Sequence, residues 1–373
     1  MTMTFDGSPK PTLGVELELQ ILDPKTKNLI SGVEPIIERS GDPTHVKTEL
    51  IQSTVELNTD ICQDVGEVRQ ELTTRINRLL GVCDELGFEL ACAGTHPFAE
   101  WSEQDITDKE RYHMLVERCQ WPARRLMIFG LHVHVGVQNG DKAIAVVDAL
   151  SIYLPHLLAL SASSPFFDHL DTGLASSRVK IFESLPTAGL PYRLVNWAEF
   201  QRLMKTLINS KTVETVREIW WDVRPHPEFG TVEVRMCDGL PTLDEVMAMT
   251  ALIQSLVVWL GERYDEGATS EPLQRFWITR ENKWRAARWA TEAEIIVDED
   301  GRLEPLADSI EQLVEHVTPT AKELGCAEEL ARVQDILKAG PSYLRQRKLY
   351  EETGDFRKVV ESLVAEFRQG VST

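Results

Sequence analysis

The chain contains no Gly-x-x-x-x-Gly-Lys-Ser/Thr and no Gly-x-Gly-x-x-Gly among its 373 residues. P-loop and Rossmann phosphate cradles are therefore unsupported, and no convincing nucleophile elbow is present. Basic residues are also scarce. With 39 Lys and Arg against 59 Asp and Glu, the net charge is -20. That argues against a nucleic-acid or anionic-membrane binder, because phosphate contacts need an excess of cations. A polyphosphate ligand would require a local metal or Arg. The six cysteines, Cys62, Cys83, Cys92, Cys119, Cys237 and Cys326, include no Cys-x-x-Cys, so clustered-thiolate zinc is disfavoured and reduced packing thiols in a cytoplasm are expected. Residues 1–11 show neither a basic n-region nor an apolar h-region, which fits a protein that stays where it is made. The longest apolar stretch, 246–260, is interrupted by Thr250, Gln254 and Ser255 and reads as a buried helix. Repeats, charge blocks and low-complexity linkers are missing too.

What remains is ordinary globular composition, 43% hydrophobic and 26% charged, with unusual polar strand faces. In Gly14-Val15-Glu16-Leu17-Glu18-Leu19-Gln20 a period of two places Glu16 and Glu18 on one face and Val15, Leu17 and Leu19 on the other. Like charges at that spacing repel unless a cation, a proton or water relieves them. Alone, the pattern also suits the solvent face of an edge strand. Residues 131–137 repeat the layout with His132 and His134, and residues 231–236 repeat it with Glu233 and Arg235. Glu49 and Glu56 lie seven apart, a helical same-face spacing. Either the segment bends or the two acids come from different elements.

The spacing further predicts a return strand from Leu29, a capped helix from Asp64 to near Gly87, a strand over 88–93 and a helix over 109–119. A long helix over 141–161 is expected to kink at Pro155, and another helix to cover 197–208. Residues 161–178 read as a functional loop. Residues 220–224 and 231–236 read as two strands joined by a longer loop. From Thr242 onward the chain reads as mainly helical, with breaks near Gly267, Gly301, Gly340 and Gly354. One α+β domain spanning 1–373 is expected: an antiparallel sheet with helices on its apolar face, the part from about 242 to 373 being the helical one.

Carboxylates with imidazole suit hard divalent cations such as magnesium or manganese. Arg235 would then meet the anionic oxygens of a ligand held by the same ions. These residues alone leave a ligase, a kinase of a small carboxylate, a phosphohydrolase and a catalytically silent nucleotide binder open.

Six ordered motifs narrow the choice: Gly14-Val15-Glu16-Leu17-Glu18; Lys47-Thr48-Glu49 through Glu56-Leu57-Asn58-Thr59; Leu131-His132-Val133-His134-Val135-Gly136; Ser161-Ala162-Ser163-Ser164-Pro165-Phe166; Gly230-Thr231-Val232-Glu233-Val234-Arg235; and Arg280-Glu281-Asn282-Lys283-Trp284-Arg285. With them the chain resembles the YbdK-like carboxylate-amine ligases, or type 2 glutamate-cysteine ligases, of the glutamine synthetase superfamily. The resemblance implies a curved antiparallel sheet whose polar face binds ATP and two or three magnesium ions. It implies Glu18, Glu49 and Glu56 around one ion, and Glu16, His132 and Glu233 around another. His134 and Arg235 would face substrate and the γ-phosphate. Arg224, Lys283, Asn58 and Arg178 are candidates for substrate or nucleotide binding. The implied reaction joins a carboxylate, that of the glutamate side chain, to cysteine or another amine through an acyl phosphate. Residues 161–178 would form part of a cover over the site, and a homodimer is plausible. In that segment Phe167, His169 and Leu174 stand where the family suggests Trp, Gly and Tyr, which leaves the amine open.

Overall fold

The computed structural model describes residues 3–267 and 275–371. Its strands are β1 (Leu13–Leu22), β2 (Val46–Thr48), β3 (Thr54–Asn58), β4 (Glu89–Ala91), β5 (Gly130–Gly136), β6 (Phe166–Phe167), β7 (Leu170–Asp171), β8 (Val223–His226), β9 (Thr231–Asp238), β10 (Glu294–Ile296) and β11 (Leu303–Pro305). The main sheet has the order β2-β3-β1-β5-β9-β8, with β4 also paired to β1, and every pairing is antiparallel. β6 with β7 and β10 with β11 are small separate ribbons.

The register explains how distant motifs meet. Glu16 lies opposite His132 on one side and Asn58 on the other; Glu18 lies opposite Glu56; His134 lies opposite Glu233, which lies opposite Arg224. Alternate residues Val15, Leu17, Leu131, Val133, Val135, Val232 and Val234 point the other way and are fully buried. They pack in one apolar cluster with residues from the helices Val65–Leu86 and Leu243–Asp265. The antiparallel sheet with helices on its apolar face is therefore as expected.

Local signals place most elements. Asp64 Oδ1 accepts from Glu67 N at 2.9 Å, and Gly87 closes the same helix in the left-handed conformation. Thr242 and Glu245 form a capping box at the head of Leu243–Asp265. That helix and the stretch Gly140–Ser161 are long and apolar enough to cross a membrane, yet most of each lies inside the fold. The 141–161 helix breaks into Gly140–Leu150, a 3₁₀ turn and Leu154–Ser161, with Pro155 in the first turn of the last piece. All six cysteines are free.

The return strand from Leu29 is not formed. Leu29 makes one bridge to Leu22, after which Gly32 N and Val33 N donate to Gln52 O and the helix Val33–Ser40 begins. Val33, Ile36, Ile37 and Ser40 have helical spacing, and Pro35 sits in the first turn, where its missing N–H costs nothing.

His96 shows how the interior constrains protonation. Its Nε2 donates to Lys27 O at 2.9 Å, while Nδ1 accepts from Ala99 N at 2.9 Å. Burial pushes its pKa down to about 4. The unfolded chain therefore binds the extra proton first, so stability falls as pH drops below the ordinary histidine range. Between pH 7 and pH 5 this one site should cost about 2 kcal/mol. Urea midpoints measured at both values should converge by part of that amount in His96→Gln; an unchanged difference would place the titration elsewhere.

Candidate active site

The sheet's polar face gathers the acids into two groups. Glu18, Glu49 and Glu56 offer one oxygen each, with all three atoms within 4.8 Å of one another; an oxygen each from Glu16 and Glu233 and a ring nitrogen of His134 lie equally close. Glu49 and Glu56 arrive from different places, Glu49 just after β2 and Glu56 within β3, which resolves their spacing of seven. The second group closes on His134 rather than His132. His132 stands between the groups: its Nδ1 donates to Glu16 Oε2 at 3.0 Å and its Nε2 lies 3.9 Å from Glu18 Oε1. His134 Nδ1 is 3.0 Å from Thr231 Oγ1, and its buried Nε2 has no hydrogen-bond partner. That nitrogen lies 3.6 Å from Glu16 and 3.7 Å from Glu233.

The two groups differ electrostatically. Burial pushes the Glu233 carboxyl up, but the Arg224 and Arg235 guanidiniums beside it outweigh this and hold it well below the usual carboxylate range. Burial likewise raises Glu16, and the hydrogen bond from His132 together with the nearby His134 imidazole reverses the shift. No such rescue reaches the other group. Burial, followed by the charges of Glu49 and Glu16, pushes Glu56 well up; burial and Glu18 raise Glu49. A crowded carboxylate trio short of protein cations, and a buried imidazole nitrogen without a partner, both fit divalent ions.

A cavity of about 1220 Å³ opens over the Glu18 and Glu49 end. His132, Arg178 and Arg235 line it, together with the helix Glu110–Cys119 on the opposite wall. Arg235 pairs with Glu233 Oε1, and its buried Nε is unpartnered. Arg178 donates to Met236 O and Arg235 O at 3.2 and 3.3 Å, with Nε also unpartnered. Gly130 allows this approach, since a Cβ there would lie 2.1 Å from the Arg178 guanidinium; its N–H donates to Glu18 Oε2. Asn58 is buried opposite Glu16, and its Oδ1 lacks a partner.

Two candidates are used elsewhere. Arg224 donates from Nε to Glu233 Oε2 at 2.7 Å and from NH1 to Val216 O, Arg217 O and Ile219 O. Its guanidinium is consumed as a brace and does not line the cavity. Lys283 is buried against Asp222, at 2.5 Å, and Glu183; it also lies outside the cavity lining. Both motifs promised cations, but the promised anions are internal carboxylates.

The expected cover over 161–178 is instead an internal support. Ser163 N and Ser164 Oγ donate to Asp238 Oδ2 at 2.9 and 2.6 Å, while Ser176 Oγ donates to Oδ1 at 2.8 Å. These serines are fully buried. Phe167, His169 and Leu174 are absent from the cavity lining; Arg178 alone reaches it from this segment. Sequence reasoning missed Asp238, whose hub role depends on partners 62 to 75 residues away. It also missed Arg111 and Tyr112, which lay inside an ordinary helical pattern.

The model of glutamate-cysteine ligase family 2 matches residues 12–362. The chain belongs to that family. A relative from Thermobifida fusca named as a glutamate–cysteine ligase 2 is 47% identical over 376 residues, covering 99% of this chain and 94% of its own. A Gloeobacter violaceus relative of the same name is 47% identical over 369 residues, covering 98% and 99%. Among solved structures, the glutamate–cysteine ligase of Francisella tularensis in complex with AMP superposes with a TM-score of 0.72 at 14% identity, covering 99% of this chain and 91% of that one. A bifunctional glutathione synthetase from Pasteurella multocida has the same TM-score at 15% identity, covering 97% and 53%. These two likenesses show the fold, a glutamine synthetase-like ligase architecture. The recognition made from the six motifs stands, and with it the reading as a ligase over the hydrolase, kinase and silent-binder alternatives.

Two outcomes test the electrostatics. Arg224→Met strands Glu233 and three carbonyls, and should cost about 3–5 kcal/mol, read as a lowered urea midpoint; an unchanged midpoint would contradict the bracing role. Glu56→Gln relieves the crowded trio, so the metal-free protein should gain about 1 kcal/mol, a rise of about 1 °C in melting temperature. The same variant should gain less than the parent from added magnesium, as followed by calorimetry.

Proposed function

We propose that this family member is an ATP-dependent carboxylate-amine ligase, taking the side-chain carboxylate of glutamate and cysteine or another amine. The observation that carries the reading is the pair of three-donor groups side by side on one sheet face, with Arg235 joined to one of them and facing the cavity. Glu18, Glu49 and Glu56 would hold one magnesium or manganese ion, and Glu16, Glu233 and His134, with His132 adjoining, a second. Bound there, such ions supply charge neutralisation for crowded phosphoryl oxygens.

In the reaction a carboxylate oxygen attacks the γ-phosphorus of ATP and the bond to the β-phosphate oxygen breaks, releasing ADP. The amine nitrogen then attacks the acyl carbon, the bond to the phosphate oxygen breaks, and an amide and phosphate result. Arg235, fixed by Glu233, presents its remaining N–H groups to the oxygens that gain charge. Arg224 holds Glu233 in place by its paired contacts. Arg178, tied to β9 carbonyls, adds a second cation on the same wall.

Purified protein supplied with ATP, magnesium, glutamate and an amine panel should yield, by mass spectrometry, a product of the summed reactant mass less one water. Phosphate release without any amide across the panel would sink the proposal. Glu18→Gln should lower kcat on the order of 100-fold while leaving the melting temperature near that of the parent.

A further inference from the structure

The cavity has an apolar compartment that the acidic face does not use. Leu115, Leu126, Ile128, Phe182, Leu185 and Trp220 line it, and all belong to or pack against one apolar cluster. Leu126 and Leu185 are buried, while Leu115, Ile128, Phe182 and Trp220 are half-buried and keep surface toward the cavity. This recess adjoins the acidic end. Ile128 shortly precedes Gly130, whose N–H donates to Glu18 Oε2, and the Arg178 guanidinium lies 5.9 Å from the centre of the Phe182 ring.

The walls of the recess are tied together. Arg118, on the helix Glu110–Cys119, donates to Glu218 Oε2 at 3.1 Å, and Thr187 Oγ1 donates to Glu218 O at 2.6 Å. Arg224 holds the carbonyls of Val216, Arg217 and Ile219, and Gly189 N donates to Trp220 O at 3.3 Å. An apolar body entering such a preformed recess loses water without having to order the walls.

The chemistry of the other reactants leaves one occupant. Glu18 and Glu49 line the cavity, whereas Glu16, Glu233 and His134 do not. A triphosphate that spans both donor groups with its γ-phosphoryl at Arg235 therefore leads out of the cavity, and in-line displacement puts the acyl substrate on the side of the γ-phosphorus away from the nucleotide. Glutamate is charged at both ends of a short stem and has no apolar body to bury. The amine attacks the acyl carbon from inside the cavity, so its body is what the recess receives. Cysteine would cover little of this apolar wall, and the cavity, about 1220 Å³, exceeds the roughly 1000 Å³ upper range of ordinary small-ligand pockets.

We propose that Phe182, Leu185 and Trp220 determine acceptor specificity, and that the acceptor is a primary amine carrying an apolar body of the size of leucine's or phenylalanine's side chain. This rests on the ligase reading above and names its second substrate.

The test compares alanine, 2-aminobutyrate, leucine and phenylalanine as acceptors, alongside the corresponding amines that lack the carboxylate. In whichever series reacts, kcat/KM should rise on the order of 4-fold for each methylene-sized group buried, and cysteine should do no better than 2-aminobutyrate, which is close to it in size. Phe182→Ala should lower the ratio of kcat/KM for phenylalanine to that for alanine roughly 10-fold, with little change in the KM for ATP or for glutamate. Leu115→Trp, which fills the recess instead of emptying it, should also shift the preference toward alanine, an effect that loosened packing would not produce. Titration calorimetry of the same amines onto protein loaded with magnesium, glutamate and a non-hydrolysable ATP analogue reads the preference without turnover. If no amide forms anywhere in the panel, the ligase reading fails, while a calorimetric affinity that still rises with apolar size and falls in Phe182→Ala supports the recess. An affinity that is flat or declines along the series, cysteine preferred to leucine, an equal loss for alanine and phenylalanine in Phe182→Ala, or a raised KM for ATP in that variant would overturn the proposal.

Discussion

Five carboxylates, Glu16, Glu18, Glu49, Glu56 and Glu233, crowd one face of the sheet, and the rest of the structure is arranged around keeping them there. Two unit charges about 5 Å apart repel by about 3 kcal/mol at an effective dielectric of 20, so such a face opens or protonates without compensation. The chain compensates half of it. Glu233 lies between Arg224 and Arg235, and Glu16 is bonded by His132, with His134 close by. Among the described residues, Glu18, Glu49 and Glu56 have within ion-pair reach Lys47, 4.0 Å from Glu56, and the His132 imidazole, 3.9 Å from Glu18. The uneven compensation separates a group largely paired by arginine and histidine from a crowded trio with few cations of its own.

Keeping that asymmetry requires supports behind the face. Arg224 ties Glu233 to the backbone around 216–219. Asp238, at the end of the same strand β9, collects serine donors from 163–176 and so fixes the segment that delivers Arg178. Lys283 joins Asp222, beside β8, to Glu183. Each of these supporting groups is ion-paired or hydrogen-bonded, as a low-dielectric interior demands. The motifs that the family shares thus mix residues that face the ligand with residues that hold the first kind in place.

The two walls of the cavity differ. Its sheet wall is rigid, built from β1, β5 and β9 over a continuous apolar core. The opposite wall is the helix Glu110–Cys119, largely exposed and fastened mainly at its first turn to 48–50.

Much of this was legible in the sequence. The alternation in Val15 to Leu19, Leu131 to Val135 and Val232 to Arg235 fixes strand type and polar face, because side-chain direction along a strand is a local consequence of backbone geometry. The caps at Asp64 and Thr242 are equally local, and the ordered motifs carried the family. What alternation leaves undetermined is which distant group a side chain meets. The register of β5 between β1 and β9 decides whether His132 or His134 closes the group with Glu16 and Glu233. Whether Arg224 and Lys283 reach a ligand depends on Glu233, Asp222 and Glu183, and whether 161–178 covers the site depends on Asp238. The helix at Val33–Ser40 displaced an expected strand because docking at Gln52 removed the pairing edge. Local pattern determined what each segment presents; only tertiary structure decided what receives it, since a buried charge takes whichever counter-charge the fold brings within a few ångströms.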